Sequence, residues 1–233
     1  MFWQEDDKPS EFKVPDDVVD LVFDIQCREL PVDHANELAA AIVEHLPAVC
    51  DDARFGVHNI HLAGSQNGWE RPDPKLGQRL MLSRRTKLTL RVPQERIDEV
   101  QATLDGAELD VAGCSLRIGQ SKQKKLSSQG TIFSRHVVLE DGEQENESAF
   151  LQRIATHLAE RGIRIKKALC GKTVEVQGPQ GPLQTRSVMI AGLTAEESVR
   201  IQQEGIGDMR TMGCGIFIPH KGIDAVRTSE DDS

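Results

Sequence analysis

The chain has 233 residues, of which 38% are hydrophobic and 28% are charged, a composition typical of a globular protein with one large domain or two small ones. No apolar run approaches the roughly 20 residues of a membrane-spanning helix, and the acidic N-terminus lacks the apolar core of a secretory signal, so we expect no membrane partner. The five cysteines are scattered without C-x-x-C spacing. This pattern predicts neither a disulfide framework nor a zinc site, and it fits a reduced, cytoplasmic setting.

The net charge of −9 argues against a nucleic-acid partner until its distribution is considered. Acidic residues concentrate in three segments, and the rest of the chain is net positive. These acidic segments are residues 1–20, 138–147 and 230–233. Three other stretches are basic and contain no acid: residues 79–91, 111–139 and 161–172. Basic segments without acids favour a surface that binds a polyanion, although most runs of charged residues are simply solvent-exposed.

After an acidic N-terminal segment at residues 1–17, hydrophobic periodicity predicts a first unit at residues 18–120. We predict strands at 18–27, 55–62 and 80–93, a strand or hairpin at 108–119, and helices at 34–46 and 94–106. Asp33 is the expected N-cap of the first helix, and Gly106 is expected at the C′ position of the second. The third strand is expected to bend around residues 83–85, and residues 64–77 read as a Gly/Pro-rich loop.

A polar, basic segment at residues 121–130 predicts a linker to a second unit at residues 131–222. We predict its strands at 131–139, 184–193 and 214–221, a strand or hairpin at 163–176, and its helices at 147–162 and 195–204. Thr194 and Glu197 form a capping box before the last helix. Residues 223–233 are expected to be an acidic, disordered tail. The predicted fold class is therefore α+β, with two tandem ferredoxin-like (RRM-like, βαββαβ) domains built on antiparallel sheets.

Near the C-terminus, two G-x-G pairs flank a short segment that contains Arg210. The four glycines are Gly205, Gly207, Gly213 and Gly215. Glycine permits a positive φ and a close approach of backbone to ligand, and successive N–H groups can form an anion-binding nest. The pattern predicts a phosphate or phosphodiester ligand, while the simpler alternative is a tight turn that enters a strand. A dinucleotide-binding fold would need a strand directly before Gly205 and a helix after the loop. Neither is predicted here, so this interpretation is excluded.

The spacing G-h-G-x5-G-h-G resembles the glycine-rich loop of the CRISPR-associated repeat-cleaving endoribonucleases, which belong to the RAMP superfamily of RNA-binding proteins. Pro31-Val32-Asp33-His34, Phe55–Ile60 and Leu82–Pro93 are similar to the Myxococcus-type subgroup of that family. The likeness spans most of residues 18–222. There are two departures: Val49-Cys50-Asp51 stands where many relatives carry a Leu-His-Glu or similar, and the chain contains no tyrosine.

The resemblance implies metal-independent cleavage of precursor crRNA without a cofactor. The 2′-OH attacks the adjacent phosphorus and the 5′-oxygen leaves, giving a 2′,3′-cyclic phosphate (or its opened form) and a 5′-OH. It also implies that the protein holds the 3′ stem-loop afterwards, beside other subunits of a Cascade-like interference complex. Two alternatives stay open: a non-catalytic RNA-binding subunit of the same fold, or a ferredoxin-like protein-interaction module.

Histidine suits the acid and base of this reaction, and Lys or Arg suits the charge on the phosphorane. We rank His45 first, His34 second and His58 third as catalytic candidates. His34 and His45 share a helix face but lie roughly 16 Å apart along the axis, so they do not act on one phosphate. The predicted RNA-binding residues are Arg84, Arg85, Lys87, Lys124, Lys125, Lys166, Lys167, Arg210 and the four glycines. No metal site is predicted.

Overall fold

The computed structural model describes residues 12–61 and 78–221. The predicted loop at 64–77, the predicted tail at 223–233 and most of the acidic segment at 1–17 lie outside the described residues. Within the described ranges, no helix is both long and apolar enough to span a membrane.

The N-terminal half (residues 12–125) is built on a five-stranded antiparallel sheet. Its strands are β1 Val18–Gln26, β3 Gly56–Val57, β5 Lys87–Pro93, β6 Glu108–Val111 and β7 Cys114–Lys125, in the order β3-β5-β1-β7-β6. Its helices are α1 Ala35–His45, α2 Pro47–Cys50 and α3 Ile97–Leu104, and a small side sheet pairs β2 Glu29–Pro31 with β4 Arg79–Met81. Alternate residues of β1, such as Leu21 and Phe23, are fully buried against Leu38 and Ile42 of α1, as a half-buried strand requires.

The C-terminal half (residues 131–221) repeats the arrangement. Its strands are β8 Thr131–Val138, β9 Lys167–Cys170, β10 Val174–Gly178, β11 Gly181–Ala191 and β12 Ile218–Pro219, and its helices are α4 Glu147–Glu160 and α5 Ala195–Glu204. The sheet order is β10-β11-β8-β12, and β9 also pairs with β11. Ile132, Phe150 and Ile201 share one buried core that joins the sheet to both helices. The predicted α+β class with tandem ferredoxin-like units is confirmed.

Several local predictions are confirmed, and others are wrong. The capping box of Thr194 and Glu197 is present, and Gly106 has a φ of 79° just after α3. Asp33 is not the N-cap of α1, because the cap is His34 and the Asp33 carboxylate accepts a hydrogen bond from the Gln177 amide at 3.0 Å. That partner lies in the other half, so local sequence does not reveal it.

Residues 121–125 belong to β7 rather than to a linker, because they pair with β1, for example Lys124 with Asp20. The predicted strands at 55–62 and 214–221 shrink to Gly56–Val57 and Ile218–Pro219. The division into domains at residues 18–120 and 131–222 stays a prediction.

The two halves are joined by a pair of buried arginines, one from each half. Arg91 of β5 has no exposed surface; its Nε donates to Asp20 at 2.9 Å, and its Nη1 donates to the carbonyls of Gln202 and Phe217 at 2.8 and 2.9 Å. Although burial opposes it, the Arg91 charge holds the pKa of Asp20 below its usual range. The Asp20 carboxylate is therefore part of the buried junction between the two halves.

The second joining arginine is Arg210. Its Nε donates to the Phe55 carbonyl at 3.1 Å, and its Nη2 donates to the carbonyls of Arg54 and Gln203 at 3.1 Å each. Beside it, Met212 packs against Ala35 and Ala39 of α1. The glycine-rich stretch thus fixes the position of α1 relative to the C-terminal half.

Candidate nucleic-acid interface and active site

His45 ends α1 with an exposed ring. Its Nδ1 lies 2.9 Å from the carbonyl of Ala41, one helical turn earlier. Because a carbonyl only accepts, Nδ1 carries the proton, and Nε2 is the nitrogen left to a ligand. The ring is therefore held in one orientation while its second nitrogen can accept or deliver a proton.

His34 stands before the first residue of the same helix and is only 3% exposed. Its Nδ1 donates to the Pro31 carbonyl at 2.9 Å, and its Nε2 accepts the Ile60 amide at 3.2 Å. Burial lowers the pKa of this ring, which fits its neutral, doubly bonded state. Both ring nitrogens are hydrogen-bonded to the backbone, so the placement of His34 argues against the expected catalytic role.

His58 lies at the junction of the halves, with Nε2 3.4 Å from the Asp20 carboxylate. Burial lowers its pKa, Asp20 opposes this, and the charges of Arg91 and Arg210 add to the lowering. The ring is enclosed by the arginine junction, so a structural position also fits His58 better than contact with RNA.

A histidine pair that sequence reasoning left aside lies where the halves meet. Burial and then the Arg135 charge lower the pKa of His61 to about 3 and that of His136 to about 4. The His136 Nδ1 donates to the Thr185 hydroxyl at 3.0 Å. His61 and His136 come from different halves, so no local motif joins them; the common influence of Arg135 appears only in the fold.

All four glycines of the C-terminal stretch have a positive φ, between 66° and 77°. Three of them are also required by packing. A Cβ on Gly205 would lie 1.8 Å from Nη1 of Arg210, one on Gly215 would lie 2.1 Å from the Ile206 carbonyl oxygen, and one on Gly213 would lie 2.8 Å from the side chain of Asn59. These three glycines shape the junction between the halves.

Gly207 differs from the other three. A Cβ there would meet nothing nearer than Val137 at 4.0 Å, so only its φ of 74° demands glycine. Residues 207–209 are exposed, and among the described residues no hydrogen bond uses the amides of Gly207 or Asp208. We call residues 207–209, the exposed part of the stretch, the loop tip.

Arg210 does not occupy the expected place on a phosphate path. It is 8% exposed, and burial followed by the Arg91 charge lowers its pKa to about 10. Its donors reach three backbone carbonyls, as described above. The predicted phosphate contact is therefore withdrawn, since exposing this guanidinium would open the junction.

The other predicted RNA-binding cations are all exposed. Two of them have acidic partners: Lys87 pairs with Asp24, and Lys125 lies 3.7 Å from Asp16. Arg84 and Arg85 occupy the turn between β4 and β5, and Lys166 and Lys167 lie at the start of β9. Lys124 projects from β7.

Residues 12–61 and 78–221 contain no group of three or more His, Cys, Asp or Glu side chains arranged to hold a metal ion. All five cysteines are free.

Comparison with known proteins gives consistent matches over most of the chain. A family model described as Cas6 Crispr matches residues 19–222. The CRISPR-associated endonuclease Cas6 of Myxococcus xanthus (strain DK1622) is 31% identical over 202 residues, which cover 86% of this chain and 81% of the relative.

Solved structures match at the level of the fold. A Cas6-related protein from Pyrococcus furiosus superposes with a TM-score of 0.60 at 13% identity, over 86% of this chain and 97% of that one. A RAMP protein described as binding different RNA substrates superposes with a TM-score of 0.60 at 14% identity, over 87% and 100% of the two chains. From the family model and the Myxococcus relative together, the chain belongs to the Cas6 family of CRISPR-associated endonucleases.

Proposed function

We propose that the protein cleaves the repeat of precursor crRNA by attack of the 2′-OH on the adjacent phosphorus, without a metal ion. The bond from phosphorus to the 5′-oxygen breaks as the new bond forms, which leaves a 2′,3′-cyclic phosphate and a 5′-OH. A proton must leave the 2′-OH and another must reach the 5′-oxygen. Family membership supports the substrate, and the placement of His45 supports the proton transfer.

The observation that carries this proposal is the presentation of His45. Of the three candidate rings, only His45 belongs to an exposed residue and has Nε2 left over, whereas His34 is 3% exposed and the His58 side chain is 16% exposed. We place His45 beside the scissile phosphate, as the base toward the 2′-OH or the acid toward the leaving oxygen.

We propose that the RNA backbone runs over the exposed cations and the loop tip. The backbone N–H groups of Gly207 and Asp208 can donate hydrogen bonds to a phosphate oxygen, as those of an anion-binding nest do. The cations proposed for the path are Arg84, Arg85, Lys87, Lys124, Lys125, Lys166 and Lys167. We further propose that the protein acts in the cytoplasm and keeps the 3′ stem-loop as a subunit of an interference complex.

One observation favours a second candidate, a non-catalytic RNA-binding subunit. The short helix α2, Pro47–Cys50, stands where many relatives carry a histidine, and it contains none. In the primary proposal, His45 supplies the missing ring from the end of the preceding helix.

A cleavage assay with repeat RNA separates the two. The proposal predicts single-turnover cleavage that is unchanged by excess EDTA and yields 2′,3′-cyclic phosphate ends. Tight binding without cleavage would support the non-catalytic alternative. Cleavage that stops in EDTA and returns with added Mg²⁺ would overturn the metal-independent mechanism.

A further inference from the structure

Two cysteines lie together at one end of the N-terminal sheet. The last pair between β1 and β7 joins Gln26 to Arg117. Cys27 follows directly after β1, and Cys114 is the first residue of β7. Both side chains pack against the same hydrophobic core, and both residues keep part of their surface exposed. This end of the core is therefore accessible from solvent.

The two thiols have different hydrogen-bond partners. The Sγ atom of Cys114 accepts from Nη1 of Arg79 at 3.1 Å, and the same Nη1 lies 3.1 Å from a carboxylate oxygen of Glu29. The Sγ atom of Cys27 instead donates to the backbone carbonyl of Glu29 at 3.2 Å. Burial raises the pKa of the Cys27 thiol, the bond to Glu29 opposes the rise, and Cys114 adds to it. Glu29 thus lies beside both thiols, and Arg79 lies beside Cys114.

These surroundings suit two different steps of thiol oxidation. A thiolate is the form that attacks a hydroperoxide, and a cationic donor next to the sulfur favours it. Arg79 supplies such a donor to Cys114. Cys27, whose S–H is held by a carbonyl, suits the second step, in which a thiol attacks an oxidised sulfur. In a chain whose cysteines are all free, a thiol pair of this kind is typical of a transient redox site.

We propose that Cys114 and Cys27 form a site of reversible modification by hydroperoxides. The Cys114 thiolate attacks one peroxide oxygen, the O–O bond breaks, and the departing oxygen takes up a proton. This step leaves a sulfenic acid on Cys114 and releases water or an alcohol. The Cys27 sulfur then attacks the Cys114 sulfur, the S–O bond breaks, and the hydroxide leaves with the Cys27 proton as water. The two thiols are oxidised to a disulfide, and the peroxide is reduced by two electrons.

The disulfide fastens the end of β1 to the start of β7, next to the side sheet whose strand β2 leads into α1. Both sulfur atoms leave their present hydrogen bonds to join, so oxidation also releases Arg79 from Cys114. The inference does not depend on the proposed function, because its test contains no RNA.

The test treats full-length protein with hydrogen peroxide and follows its intact mass. We expect a loss of about 2 Da, the two hydrogens given up by one disulfide, and a peptide pair joined through Cys27 and Cys114. Dithiothreitol should restore the starting mass. An unchanged mass, a disulfide between other cysteines, or oxidation that stops at a single sulfur overturns the site.

Cysteine variants separate the two roles. Cys27→Ser should stop at a sulfenic acid on Cys114, which dimedone traps, whereas Cys114→Ser should leave Cys27 without a dimedone adduct. Cys170→Ser, at a partly exposed thiol of the other half, should form the disulfide as the wild type does. An adduct on Cys27 in place of Cys114 overturns the assignment of the attacking sulfur.

Arginine variants test the donor. Arg79→Gln should slow the oxidation by about tenfold, the effect of losing one charge-assisted hydrogen bond to the sulfur. Arg96→Gln removes an arginine of similar exposure that also pairs with a glutamate, and it should react at the wild-type rate. Melting temperatures show whether each variant is folded, and the wild-type mass measurement decides the site if one is not. Equal rates for the two folded arginine variants overturn the role of Arg79.

Discussion

The two ends of helix α1 carry the same residue type in opposite environments. At the start, His34 is buried, and the backbone of Pro31 and Ile60 occupies both ring nitrogens. At the end, His45 is exposed, and only Nδ1 is bound, to Ala41. The first ring joins a loop to the helix, whereas the second presents a nitrogen to solvent. Only the second has the geometry of a proton-transfer group.

The glycine-rich stretch shows the same contrast between interior and surface. Gly205 and Arg210 lie inside, where the guanidinium fills the space that a Cβ would need. The loop tip at residues 207–209 lies at the surface, and its backbone amides donate no hydrogen bond to any described residue. A sequence motif can thus combine structural and functional positions within a few residues. Each test below therefore compares a substitution at a buried position with one at an exposed position.

The largest expected effect is on catalysis at the exposed end of α1. His45→Ala should lower the single-turnover rate of repeat cleavage by roughly 10²–10⁴-fold, the usual contribution of a positioned acid or base. RNA affinity and melting temperature should change little, because the ring is exposed. Cleavage rate, affinity and melting temperature are measured on the same preparation.

Two histidine variants serve as controls for that result. His157→Ala removes a histidine from the last turn of α4 and should leave the cleavage rate unchanged. His34→Ala should lower the free energy of unfolding by about 1–3 kcal/mol, because it leaves the buried Ile60 amide unpaired. Normal cleavage by His45→Ala would remove this ring from the mechanism.

The next effect compares a buried and an exposed arginine. Arg210→Ala should lower the free energy of unfolding by roughly 3 kcal/mol or more, since three backbone carbonyls lose their donor. Arg84→Ala should leave stability within about 0.5 kcal/mol and instead weaken RNA binding and reduce its salt dependence by about one counterion. Denaturant titrations and binding at several salt concentrations distinguish the two. A stable Arg210→Ala that binds RNA poorly would contradict the inside–outside assignment.

A smaller effect is expected at the loop tip. Gly207→Ala and Gly142→Ala both place a Cβ at a positive φ with open space around it, so both should cost about 1 kcal/mol of stability. Only Gly207→Ala should also weaken RNA binding, because it alone alters the proposed phosphate nest. Equal affinities for the two variants would remove the loop tip from the RNA path.

The last effect concerns the pH dependence of stability. Burial lowers the folded-state pKa of His34, and it lowers that of His136 to about 4, so the unfolded chain takes up protons first as the pH falls below about 6.5. Stability should therefore decrease between pH 6.5 and about 4, by at most about 1.4 kcal/mol per pH unit for each such ring. Melting temperatures of wild type and His34→Gln test this. The variant should show a shallower decrease, and identical slopes would contradict the buried, neutral His34.

Local rules predicted what local contacts determine. Helix α5 begins at the Thr194 capping box and ends at Gly205, as its residues indicate. The sequence did not predict the long-range contacts. Asp33 accepts a hydrogen bond from the backbone amide of Gln177, and Arg210 donates to the carbonyls of Arg54 and Phe55. A motif could show that glycine and arginine occur together. It could not show that the arginine fills the space left by the glycine.

The candidate site divides in the same way. Histidine type and helix position identified both His34 and His45, but the choice between them depends on burial and on which nitrogens the backbone occupies. His61 and His136 were missed because they come from different halves. The sequence shows that residues 138–147 are acidic, but it does not show their partners: Glu143 pairs with Arg153 at 2.7 Å and Glu147 with Arg186 at 3.1 Å.

The most direct test of the central claim uses repeat RNA with a single 2′-deoxy nucleotide immediately upstream of the cut. If the 2′-OH is the nucleophile, the protein should bind this RNA as tightly as the unmodified repeat and fail to cleave it, while a deoxy substitution one nucleotide further upstream should still be cleaved. Cleavage of the first substrate at the normal rate would contradict the account, because the attacking oxygen would then have to come from elsewhere.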